Sequence, residues 1–240
     1  MRTHAAVAAM SAVAAVSAMT IALAGCAKAT PYSSSETSMP SQATPINVGA
    51  NSAPAIVSAT SAAPASARVH GAHALELQAE FDYAPASRII EVRYTLHNRG
   101  ETALAVFDRG DLHAVGVGRQ VLGAVGIPRM ETEGDDVSLI HAAAPLPDPA
   151  PTSPPTPLAI ELAPGASLEG EFKFALKGTA APKRLRWCVG AMPMGEAYMD
   201  SPQSTRAGRL WRASFGVVEK QNMICTPWYD VASAAFEREA

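Results

Sequence analysis

Methionine, cysteine and histidine are the side chains of this 240-residue chain best suited to chemistry, and there are only nine, three and six of them. Met192, Met194 and Met199 cluster near Trp187 and Tyr198. Thioethers are soft donors that suit Cu(I), so the trio is a candidate copper site. The nearest histidine in sequence is His141, far upstream, and Met is equally a filler of irregular core space. His70 and His73 have no helical pattern to align them as a metal pair. Glu131, Glu133, Asp135 and Asp136 surround Gly134, without the ligand order that calcium loops require. Gly116, Gly118 and Gly123 give a glycine-rich run, but no Lys-Ser/Thr pair closes it into a phosphate loop. Arg109-Gly110-Asp111 has ordinary turn composition. Neither a Gly-x-Ser-x-Gly elbow nor a His-Glu-x-x-His pair occurs, so a non-enzymatic protein without a cofactor is expected.

Cys26 differs in kind from the other two cysteines. Arg2 and His4 open the chain, a run rich in Ala, Val, Met, Ile and Leu follows to Leu23, and small residues precede the cysteine. This is the three-part layout of a secretory signal over residues 1–25. Leu23-Ala24-Gly25-Cys26 matches all four positions of a lipobox and resembles that of bacterial lipoproteins. The resemblance implies diacylglyceryl transfer to the Cys26 thiol, cleavage between Gly25 and Cys26, and acylation of the new amine. Two or three acyl chains anchor stably, at about 0.8 kcal/mol per buried methylene. The family commonly retains proteins at the inner membrane through an aspartate after the cysteine. Ala27 stands there, which implies an outer-membrane anchor facing the periplasm.

With Cys26 lipidated, Cys188 and Cys225 remain, and outside the cytoplasm such a pair is expected to form a disulfide. Two buried thiols or metal ligation are the alternatives. Residues 26–69 are dominated by Ala, Ser, Thr and Pro and predict a disordered tether. As a coil of about 43 residues it spans roughly 35 Å, with a full reach of roughly 140 Å. Formal net charge is −3, from 19 basic and 22 acidic residues, and gives no reason to expect nucleic acid. Lys183, Arg184, Arg186, Arg206, Arg209 and Arg212, interleaved with Trp187 and Trp211, suit either an anionic glycan or lipid, or a solvated strand face.

Residues 70–240 predict one folded domain. Leu75, Leu77, Ala79 and Phe81 alternate with polar residues, as do Ile90, Val92, Tyr94 and Leu96. This is the period of a half-buried strand. A turn at residues 98–101 and a partner strand at 102–107 follow. Further strands are expected at 112–118, 121–127, 137–142, 158–162, 167–176, 183–192, 210–218 and 222–229, and a short helix at 231–238. Seven prolines from Pro145 to Pro157 forbid a ladder there. Many short strands without a long amphipathic helix indicate an all-β sandwich. The stretch from Ile89 to Phe107 resembles the B–C hairpin of bacterial immunoglobulin-like domains, which implies an immunoglobulin-like β-sandwich.

The expected role is a non-enzymatic interaction or accessory module of the bacterial envelope. Its partners would be the bilayer, through the acyl chains, and an envelope protein. The alternatives are a copper-binding lipoprotein using Met192, Met194 and Met199, or an inhibitor of an envelope enzyme that presents the proline-rich loop.

Overall fold

Strands are the main regular structure of the described residues. A computed structural model describes residues 63–178 and 181–238; Gly25, Cys26 and most of the expected tether lie outside the described residues. The strands are β1 (Ala65–His70), β2 (Leu75–Ala84), β3 (Ile89–Asn98), β4 (Leu104–Val106), β5 (Arg129–Glu133), β6 (Asp136–His141) and β7 (Leu158–Leu162). They continue with β8 (Ser167–Ala175), β9 (Arg184–Pro193), β10 (Met199–Thr205), β11 (Gly208–Ala213), β12 (Asn222–Cys225), β13 (Tyr229–Asp230) and β14 (Ala235–Phe236). One short α-helix, α1 (Leu112–Gly116), interrupts them.

The strands make an all-β sandwich. One sheet runs β1-β2-β3-β8 and is antiparallel throughout. The larger sheet runs β10-β11-β7-β4-β9-β13-β14; β12 also pairs with β9, and β6 joins β9 in parallel and carries β5. Inward side chains of both sheets close one core. Leu77, Ile90, Val92, Leu96, Ile160, Leu185 and Trp187 are all sealed from solvent. Each large side chain so buried contributes about 1.5–3 kcal/mol. A second cluster joins Ala105, Phe107 and Ala159 to Met192, Met199 and Val217.

Several expectations need correction. Residues 65–69, whose composition predicted tether, join His70 in the sheet as β1: Ala65, Ala67 and Val69 turn inward while Ser66, Arg68 and His70 are exposed. Residues 102–107 do not pair with the preceding strand, because the chain crosses between sheets after β3. Buried Asn98 organises the crossing, donating to the carbonyls of Thr102 (2.8 Å) and Leu162 (3.1 Å) and accepting from the Gly100 amide (3.0 Å). The expected strand at 112–118 begins as α1, because the Asp111 carboxylate caps it by accepting from the Ala114 amide at 2.8 Å. Residues 121–127 form an irregular loop with a turn at 122–123, and Phe215–Glu219 forms a 3₁₀ turn after β11. The expected helix at 231–238 is a tight return into β14, held by Asp230 accepting from the Ser233 amide at 2.7 Å.

Candidate functional site

At one end of the sandwich the segments 107–128 and 143–157 converge. The backbone sets their positions: the Gly126 amide donates to the Asp108 carbonyl, Leu158 to Gly110, and Leu112 to Thr156. Gly126 permits no side chain, since a Cβ there would lie 2.7 Å from the Gly110 nitrogen.

Beneath these loops lies a buried polar network. Asp108 follows β4 and is fully enclosed, and Arg109 is only 3% exposed. The Tyr94 hydroxyl, from β3, donates to Asp108 Oδ2 at 2.5 Å. Arg109 Nε stands 3.1 Å from Asp108 Oδ1, an ionic contact whose angle falls outside hydrogen-bond geometry. Arg109 Nη1 donates to the Gly123 carbonyl at 3.3 Å, while Nη2 meets no partner among the described residues. Burial, and secondarily the Asp108 charge, pushes the Tyr94 hydroxyl well above its ordinary pKa, so it remains a donor. A Cβ at residue 170 would fall 2.2 Å from the Tyr94 oxygen, so Gly170 keeps the phenol in place.

His141, at the end of β6, is the second element. Trp187 Nε1 donates to His141 Nδ1 at 2.9 Å, which leaves Nε2 to carry the proton donated to the Gly126 carbonyl at 2.9 Å. The ring is therefore neutral with both nitrogens satisfied. Burial lowers its pKa, against the opposing pull of the Gly126 carbonyl and Asp108.

This gives a definite pH dependence. Below about pH 6.5 the unfolded chain takes up a proton that folded His141 resists, so stability falls as pH falls. The slope for one such group approaches 1.4 kcal/mol per pH unit. Hydrogen bonds from Arg184 and Arg212 hold the carboxyls of Asp136 and Asp200 below the ordinary range, so their effect begins only at more acid pH. Urea unfolding at pH 7.5, 6.5 and 5.5 should show a steeper loss for the native protein than for His141→Gln, whose amide offers both hydrogen bonds. Parallel profiles would refute the assignment.

A cavity of about 170 Å³ opens above the network, lined by Phe107, Asp111, Ile127, Arg129, His141 and Pro155 among others. It is below the roughly 300–1,000 Å³ typical of small-molecule sites. Ile127 beside it is 74% exposed and Val121 in the same loop 76%. Apolar loop tips thus stand over a buried polar base. A larger open groove, about 790 Å³, crosses the outer face of the four-stranded sheet between Arg68, Gln78, Arg93 and Glu171. No aromatic side chain lies on its outer face to stack a ligand; Tyr94 lines it from the buried side.

The other sequence candidates fall elsewhere. Cys188 and Cys225 face each other across β9 and β12 and form a disulfide. Met192 and Met199 are buried in the second core cluster, and Met194 packs against it. Among the described residues no group of three His, Cys, Asp or Glu side chains is placed to hold a metal. Arg109 is buried and Asp111 caps α1, so Arg109-Gly110-Asp111 is not a displayed tripeptide. Of the basic residues in the C-terminal third, four arginines have partners within the chain. Arg184 pairs with Asp136, and Arg184 and Arg186 stack over Trp228. Arg212 pairs with Asp200 and Arg209 with Glu161, while Trp187 is wholly buried. The Asp108–Arg109–Tyr94 network was missed from sequence; a phenol at an inward-facing strand position, needing a polar partner, was its one signal. No family model matches this chain, and neither the curated proteins nor the solved structures yield a match to it.

Proposed function

We propose that this chain is an exported bacterial lipoprotein, anchored through Cys26 and presenting its sandwich in the cell envelope as a non-enzymatic interaction module. The observation that carries the reading is the lipobox Leu23-Ala24-Gly25-Cys26 at the end of an apolar leader. The Cys188–Cys225 bridge supports it, since such disulfides persist in oxidising compartments. Ala27 favours the outer membrane, and the periplasm is then where the domain works. Among the described residues no helix is long and apolar enough to cross a membrane, and the proposed attachment requires none. An immunoglobulin-like reading of the sandwich rests on the crossing between sheets at Asn98-Arg99-Gly100-Glu101.

Cells expressing the full chain and fed a radiolabelled fatty acid should incorporate label into it, and the protein should sediment with membranes. Cys26→Ser should carry no label and leave the membrane fraction, or accumulate with its leader uncleaved. An unlabelled native chain would sink the proposal.

A further inference from the structure

A sheet edge with unused backbone groups is a template for another strand unless something blunts or covers it. Two long edges are already blunted or flanked. β10 is broken by Pro202, by a register shift between Asp200 and Gln203, and by left-handed Ser201 (φ 47°). β1 lies against β12 and β14.

β8 differs. It runs nine residues in unbroken register against β3, and no other strand among the described residues pairs with it. The Asn98 amide donates to Ala166 at 3.0 Å and Leu176 to Arg88 at 2.9 Å, which fixes the phase of the ladder. Even-numbered residues of β8 therefore bond to β3, and the N–H and C=O groups of Glu169, Glu171 and Lys173 face the open side. Among the described residues no other backbone group meets them.

We propose that β8 pairs antiparallel with β8 of a second copy, in the register centred on Phe172, joining two four-stranded sheets into one of eight. The charge pattern selects both partner and register. Centred on Phe172, Glu171 of each copy faces Lys173 of the other, and Glu169 faces Ala175. Centring on Gly170 instead sets Glu169 against Glu171 twice, and centring on Glu171 or Lys173 sets like charges across the axis. Opposite charges directly across a ladder attract, while like charges repel. A twofold contact of this kind closes on itself, so it yields a dimer and not a fibre. The inference goes beyond the proposed function and does not depend on the lipid.

The test uses full-length chains carrying two different tags, co-expressed and captured through one tag. Native chains should co-capture each other. Lys173→Glu or Glu171→Lys alone should weaken co-capture roughly tenfold or more, since two like-charge pairs form per dimer. Co-expressing the Lys173→Glu chain with the Glu171→Lys chain should restore it, because every facing pair is again opposite. Lys173 also touches Glu91 at 2.8 Å within its own chain, so Glu91→Gln serves as a control and should leave co-capture unchanged. Thermal midpoints of all variants report whether folding is retained. An Glu171→Cys chain should form a mixed disulfide with a Lys173→Cys chain in preference to its own kind. Absence of co-capture by native chains overturns the proposal, as does indifference to the charge variants or crosslinking of residue 171 to a different protein.

Discussion

An Arg109→Met chain should be about 3–5 kcal/mol less stable than the native protein, the largest loss expected from any single polar substitution here. The reason is the partner left behind. Asp108 is fully enclosed, and its nearest cation is Arg109, 3.1 Å away. Removing the guanidinium strands a carboxylate in a medium that solvates it poorly, with only the Tyr94 hydroxyl still donating to it. Methionine fills much of the same volume, so the cost reports charge more than cavity. Asp108→Asn with Arg109→Met should recover a large part of the loss, because no unpaired charge remains. The comparison is a double-mutant cycle read by urea unfolding with a shared m-value. An Arg109→Met loss below about 1 kcal/mol would overturn this account of the pair. The exposed pair Arg93–Glu80 offers a contrast: at 3.4 Å in solvent its removal should be worth at most about 1 kcal/mol.

The same pair shows where sequence reading reaches its limit. The strands β3 and β8, and β2 from Leu77 onward, were legible because each alternates between a core face and a wetter face, a pattern that local sequence carries in full. Asp108-Arg109-Gly110-Asp111 has the composition of a solvent-exposed turn, and its burial depends on Tyr94 from another strand and Gly123 from a loop. Nothing local encodes that. β1 was hidden for the opposite reason: Ala65, Ala67 and Val69 are small enough to resemble the tether before them, and the register against β2 supplies what their own hydrophobicity does not. The segment Leu112-His113-Ala114-Val115 is as apolar as a strand; a single cap from Asp111 turns it into a helix. The methionine trio was legible as a cluster, but its burial against Phe107 and Val217 requires β9, β4 and the 3₁₀ turn to be in place first. The disulfide was thus readable from sequence, while the polar base of the candidate site was not.

Replacing both Cys188 and Cys225 with alanine should cost about 4 kcal/mol, by the loop-entropy relation for a separation of 37 residues. That figure concerns the unfolded chain, which the bridge keeps from expanding. The native partners of β12 remain. Ile224 stays 4% exposed opposite Val189, the Thr226 amide donates to the Trp187 carbonyl at 2.8 Å, and the Trp187 amide donates to Thr226 Oγ1 at 3.1 Å. The double variant should therefore keep the native fold and unfold cooperatively at a lower urea midpoint. Its weakened region should be local. β12, β13 and β14 hold only short ladders, and Phe236 reaches Phe81 by a ring contact at 4.8 Å. Amide exchange should quicken first across residues 222–236, while β3 and β8, joined along nine residue pairs, keep their protection. Equal urea midpoints for the native and double-alanine chains would show that the bridge merely decorates a ladder already sufficient. Uniform loss of protection through β3 and β8 would show that the C-terminal strands are integral to the core and not appended to it.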